Sequence, residues 1–380
     1  MLNQKRFGSR SDNIVVRSLT NDPTKNSMSL GCPSCPHFRE CGGLSVEADI
    51  FDCTSLCCGM PEQCSRVCRN KSEAFVAQLR EVNNFNLDNI PRAPVRTSSL
   101  ESDVVELIYH GSCRETLLAA PTVALRLADL VDYRNRCAKF STRLEMCAAF
   151  RVDPASNIIL TGVDHDARIE PWWSLSYDRI PIIRSLERLG IMLVTTPNFS
   201  LLLDNPRTDD MHAMKRIAAT FSEFQQEGLS CALHPNSRTE RDFDRWTEFV
   251  STRHEVSTLS YEFITGSGRA SRRQFHIDGL IRIAKSTPRP LDVVVRGDPQ
   301  VIPTLRDYYR EVIYVDTTAF MKAQKRFLAE RTANDGLSWN RVCTEPGSDI
   351  GGILQVNFDE QSELLRAKYF GQSRRPTRAA

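Results

Sequence analysis

The sequence predicts an α/β fold, a (β/α)8 TIM-like barrel with an N-terminal cysteine-rich module that binds zinc or an iron–sulfur centre. Two observations predict the barrel. Short apolar runs rich in β-branched residues alternate with amphipathic stretches, the pattern of a parallel sheet covered on both faces. Seven such units recur at roughly 30-residue spacing, which favours a closed barrel over an open sheet. No GxGxxG follows the first run, which counts against a dinucleotide-binding open sheet. A third observation predicts the module: eight of the 13 cysteines fall between Cys32 and Cys68.

Residues 1–30 are polar and are expected to form a flexible arm. Residues 31–100 hold the cysteine block, a helix over about 71–82 (SEAFVAQLREV) with apolar residues at helical spacing, and a linker or extended pass over the surface at 83–100. The barrel is assigned to 101–330. Its predicted strands are 122–127 (TVALRL), 157–162 (NIILTG), 191–195 (IMLVT), 230–233 (SCAL), 256–263 (VSTLSYEF), 291–295 (LDVVV) and 311–315 (EVIYV). An eighth is either 104–109 (VVELIY) or 352–356 (GILQV). Predicted helices occupy 141–150, 177–189, 209–226, 240–251, 272–285 and 300–309. Residues 331–380 form an extension with a basic tail, SRRPTRAA.

A net charge of +2 excludes a chain that is basic throughout, so charge must act locally. No apolar run reaches the roughly 18 residues of a membrane span, and the start MLNQKRFGSRSDN lacks a secretory h-region. A cytoplasmic location without membrane contact is the expectation. In such a chain clustered thiols bind metal more often than they form disulfides. Candidate ligands are Cys32, Cys35, Cys41, Cys53, Cys57, Cys58, Cys64 and Cys68. Thiolates two residues apart, as in Cys32-x2-Cys35, share one metal across a tight turn, so a 4Fe-4S cluster or zinc is the expected cofactor. The first half resembles the auxiliary-cluster segments of radical enzymes. The CxxxCxxC triad of their radical-generating cluster is absent, since Met60 stands where its third cysteine would be. Cys113, Cys137, Cys147, Cys231 and Cys343 read as buried small hydrophobes or inert surface thiols.

Barrel chemistry belongs at the C-terminal ends of the strands. Polar residues stand there: Asp164 and Asp166 after the second predicted strand, Asn198 and Ser200 after the third, His234 and Asn236 after the fourth. Glu262 ends the fifth, Arg296 the sixth and Asp316 the seventh. Asp164, Asp166, Glu262 and Asp316 are the catalytic candidates, expected to converge on one mouth. Carboxylates at i and i+2 of a strand face the same way and can divide into acid and base. Asn198, Ser200, His234, Asn236 and Arg296 are the substrate-binding candidates. The loop ITGSGRASRR is a candidate phosphate site: Gly266 and Gly268 permit close backbone approach, and Arg269, Arg272 and Arg273 bring charge.

The stretch VTTPNFSLLLDNPRTDDMHAMKRIAATFSEFQQEGLSCALHPNSR resembles an uncharacterised bacterial and phage family with a P[ND]FS…D.P segment. That family is similar to the barrel of queuine tRNA-ribosyltransferases and the DNA 7-deazaguanine transglycosylases. The likeness covers about residues 120–330 in element order, and residues 193–238 in motif. It implies that one strand-end Asp attacks a sugar carbon and another handles the base, roles open by position to Asp316 and to Asp164 or Asp166. The zinc site of those enzymes lies late in the chain, whereas the cysteines here come first. The expected function is therefore transglycosylase-like modification of a nucleic-acid base or nucleotide. Two alternatives stand beside it: a metal protein of a phage or defence system whose barrel binds a protein partner, and an iron–sulfur redox enzyme.

Overall fold

The structure, a computed structural model, describes residues 72–96, 102–201, 207–264, 266–345 and 347–371. The eight clustered cysteines, the 1–30 arm and the tail from residue 372 lie outside the described residues.

Eight parallel strands make one sheet: β1 Val104–Leu107, β2 Thr122–Arg126, β3 Asn157–Thr161, β4 Leu193–Thr195, β5 Cys231–Ala232, β6 Thr258–Phe263, β7 Asp292–Gly297 and β8 Val312–Asp316. Each pairs with the next in chain order from β1 to β5 and from β6 to β8, and β8 returns to β1 from Val104↔Tyr314 to Glu106↔Asp316. This is the TIM-type barrel order. The seam lies between β5 and β6, where one bridge, Leu233↔Leu259, joins the two edges. Leu233 N donates to Thr258 O at 3.0 Å, and Ser260 N donates to Leu233 O at 2.8 Å.

Alternation along each strand divides the core into two shells. Val105, Leu107, Ala124, Ile159, Leu193, Ala232, Val294, Ile313 and Val315 meet inside the barrel. Residues of the other parity, among them Leu125, Ile158, Tyr261 and Val293, pack outward against the helices. Glu262 and Arg296 share the inward parity of Ser260 and Val294. Glu106 and Asp316 share the outward parity of Val104 and Tyr314.

The helices are α1 Ser72–Glu81, α2 Arg143–Phe150, α3 Asp166–Ser174, α4 Arg179–Arg188, α5 Arg207–Gln226, α6 Glu240–Thr252, α7 Ala270–Ser286, α8 Ile302–Leu305, α9 Thr318–Gln324 and α10 Gly351–Leu365. Capping boxes start α2 (Thr142 with Glu145) and α6 (Thr239 with Asp242). No helix joins β1 to β2. Instead α10 packs beside β1, and its N-terminal flank holds the β1–β2 connection: Asp349 accepts from Glu115 N at 2.8 Å and from Thr116 Oγ1 at 2.7 Å. The strand expected at 352–356 is thus helical, and the eighth strand is the one beginning at Val104. The helix expected over 300–309 is a 3-10 turn, Pro299–Val301, followed by the single turn α8. The antiparallel hairpin Phe327–Arg331 with Leu337–Arg341 follows α9.

Residues 82–96 run as a strap, turned over 82–90, across α5 and α6, tied by arginine hydrogen bonds in both directions. Arg253 Nη2 donates to Ile90 O at 2.6 Å, and Arg96 Nε donates to Gln225 O at 2.7 Å. Glu81, at the end of α1, accepts from Trp173 Nε1 at 2.7 Å and bonds His212 at 2.8 Å. Among the described residues no helix is long and apolar enough to cross a membrane.

Candidate active site at the barrel mouth

Six strand ends build one polar cluster at the C-terminal mouth. Glu262 closes β6 and Arg296 closes β7, as register partners on neighbouring strands. Both side chains point inward, and both strands need a glycine beyond them: Gly297 adopts φ +106°, and a Cβ there would lie 2.4 Å from Phe263 O. Arg296 spans the opening. It donates to Tyr109 Oη at 3.0 Å, beyond β1, and to Val163 O at 3.4 Å, beyond β3. Among the described residues no carboxylate lies within ion-pair distance of Arg296, so its charge is met by neutral oxygens.

Glu262 Oε1 accepts from Asn198 Nδ2 at 2.9 Å, and Asn198 Oδ1 accepts in turn from Asp164 N at 3.3 Å. Burial pushes the Glu262 carboxyl above the usual carboxylate range. Arg296, the Asn198 bond and His165 pull it partly back, while Asp164 adds to the rise. Asp164 lies 3.8 Å from Arg126 and 4.0 Å from Arg168. Arg126, inward at the end of β2, forks onto Asp129 at 2.6 and 2.9 Å and lies 4.5 Å over the Tyr109 ring. A cavity of about 10 Å³, the room of one water, is lined by Asp164, Arg168, Thr161 and Gly162 among others. Gly162 lets β3 and β4 approach here, since a Cβ would lie 2.4 Å from Thr195 O.

The other expected site residues are placed differently. β3 ends at Thr161 and α3 begins at Asp166, so strand alternation no longer relates Asp164 to Asp166. Asp166 is exposed in the first turn of α3 and accepts from Ser200 Oγ at 2.7 Å. Asp316 faces the helix layer, away from the mouth. Just ahead of α9, its Oδ1 accepts from Thr317 N at 2.8 Å and Thr318 Oγ1 at 2.8 Å, and its Oδ2 accepts from Gln361 at 2.9 Å. Beside it, burial and the Asp316 charge hold Glu106 well above the usual range, although Phe320 N donates to it at 2.6 Å. These two carboxylates bind α9 to the sheet. The expected convergence of four carboxylates thus fails at Asp316, because outward parity turns it into the helix layer.

His234 is buried, stacked on Tyr261 at 5.1 Å, with neither ring nitrogen hydrogen-bonded. Burial lowers its pKa to about 3. Asn236 joins loops: it donates to Phe199 O at 2.9 Å, and its own carbonyl accepts from Trp246 Nε1 at 2.9 Å. In the glycine–arginine loop, Arg272 donates to Arg238 O at 2.9 Å and Arg273 is ion-paired with Asp298. A Cβ on Gly268 would lie 2.4 Å from Phe263 O, whereas one on Gly266 would meet open space. Two of the three arginines expected to hold phosphate are therefore engaged within the protein.

Sequence reading missed Tyr109 and Arg126. Both carried a signal: each is a polar residue closing an apolar run on the inward parity, behind Leu107 and Ala124. Among the described residues no group of three or more His, Cys, Asp or Glu is placed to hold a metal ion. No family model matches the sequence, and no curated protein matches it. Among solved structures it is similar to tryptophan synthase subunit alpha from Legionella pneumophila str. Paris, with a TM-score of 0.36 and 9% identity over 78% of this chain and 98% of that chain.

Proposed function

We propose that the barrel is an enzyme working by general acid–base catalysis at its C-terminal mouth on an anionic substrate, a nucleotide or nucleic-acid base with its phosphates. One observation carries the reading: a half-buried carboxyl of raised pKa, Glu262, stands beside a guanidinium, Arg296, that makes no ion pair among the described residues. A carboxyl whose pKa is raised by desolvation holds its proton more firmly than a free carboxyl and suits proton donation to a leaving group. An unneutralised arginine supplies a fork for phosphate. Asp164, ion-paired with Arg126 and Arg168 beside a water-sized cavity, is the carboxylate left to act at the sugar carbon or on water. The transglycosylase-like sequence stretch supports a base-bearing substrate, with Asp316 withdrawn from the nucleophile role.

Incubation with nucleoside monophosphates and with short RNA and DNA, followed by chromatography for released or exchanged base, tests the reading. Turnover by the wild type and a loss of about a hundredfold or more in Glu262→Gln are expected. Arg296→Met should raise KM for phosphorylated substrates more than for free nucleosides. If no base is released or exchanged from any of these substrates, the reading is wrong.

A further inference from the structure

A second cavity lies outside the barrel, away from the mouth. It has a volume of about 470 Å³ and is enclosed by the end of α1, the strap, and the outer faces of α4 and α5. That volume is within the range of pockets that hold small molecules. Its lining includes the apolar and aromatic side chains Trp173, Tyr177, Ile180 and Ala219, together with Asn89 and with Lys215, one turn from Ala219 on the same face of α5.

The charged groups that line it differ in how they are met. Arg179 is forked onto Glu223 at 2.7 and 2.8 Å, and Glu81 is shared by Trp173 and His212. Lys215 is different. It is 2% exposed, and its ammonium donates to two neutral oxygens of the strap, Asn86 O and Asn89 Oδ1. An ammonium has three N–H donors, so one remains. No carboxylate lies within ion-pair distance of it among the described residues. Burial, with Arg245 and Arg253 nearby, lowers its pKa to about 8, and Asp88 offsets this only in part. A buried cation without a counter-charge is costly, and a bound anion relieves that cost. Tyr177 stands at the rim with 91% of its surface exposed, in reach of a ring lying in the cavity.

We infer that this cavity binds a small aromatic anion, its acid group on the Lys215 ammonium and its ring against Trp173 and Tyr177. The site is independent of the chemistry at the mouth.

Anilinonaphthalene sulfonate, an anionic aromatic fluorophore, serves as the probe with the full chain at neutral pH. One saturable site is expected. Lys215→Met, which keeps the aliphatic stem, should weaken binding about tenfold or more, the effect of losing one hydrogen bond to a charged group. Lys215→Arg should restore most of it. Tyr177→Ala changes an exposed side chain and leaves folding intact, so its weaker binding reports the ring contact alone. Glu262→Gln should bind the probe as the wild type does. Absence of saturable binding, or binding unchanged in both Lys215→Met and Tyr177→Ala, overturns the proposal.

Discussion

Glu262, half-buried at the end of β6, and His234, buried just past β5, hold protons that act on stability in opposite directions. Glu262 has a raised pKa, so between the usual carboxylate range and that raised value the folded state holds more proton than the unfolded chain. Stability therefore falls as pH rises through that window. Glu262→Gln should consequently be more stable than the wild type at pH 7 while losing turnover. Equal melting temperatures at pH 7 would contradict this. His234 has a depressed pKa: its stability is fully present above 6.5 and is lost as pH falls from there towards about 3. His234→Phe keeps the stack on Tyr261 and removes the titration. Its urea midpoint, relative to the wild type, should rise between pH 8 and pH 5; a shift equal at both pH values would show that the imidazole is not the acid-sensitive group. Legibility followed the same line. Glu262 and Arg296 were found because they end strands with the inward parity, which sequence displays. Asp316 was misplaced because the register that turns it outward depends on where the strand ends within its run.

At the scale of elements, α9 shows what Asp316 does. Its carboxylate, one residue ahead of the N-cap Thr317, accepts from Thr317 N and Thr318 Oγ1, and a hydrogen bond to a charged group is worth about 2 kcal/mol. Asp316→Ala should lower stability by about that amount and leave turnover unaltered, measured by denaturant midpoint and by initial rate together. A collapse of turnover in a folded Asp316→Ala variant would restore Asp316 to the chemistry. Seven strands were legible because their apolar runs are short and rich in β-branched residues. Residues 352–356 misled because GILQV offers apolar positions that suit a helix as well as a strand, and Gly351–Leu365 continues them at helical spacing. The helix α3 escaped notice because Pro171 and two tryptophans interrupt its pattern.

For the whole molecule, the metal expected at the cysteine block is open to direct measurement. Elemental analysis of protein purified without oxygen or chelator should find iron or zinc at one equivalent or more, and Cys32→Ser with Cys35→Ser should lower it while Cys343→Ser does not. Metal at less than half an equivalent in the wild type would remove the cofactor expectation. Cys343 is exposed and Cys147 and Cys231 are buried, in keeping with thiols that serve packing or nothing chemical. The sequence could not reveal that α10 clasps the β1–β2 connection, because that contact joins residues over two hundred positions apart through Asp349 and Thr116.

The seam between β5 and β6 gives the closed sheet a clasp. Every other neighbour pair is held by a ladder, but here the amides of Leu233 and Ser260 carry the join. Their deuterium uptake should report the opening of this edge alone, ahead of the amides of β1, β2 and β8. The residue next to the clasp is His234, buried and stacked on Tyr261, so its ring takes up a proton only where local opening admits water. Each proton it captures then holds the ring open, so mild acid should unzip the barrel from this one side before the rest of the sheet gives way.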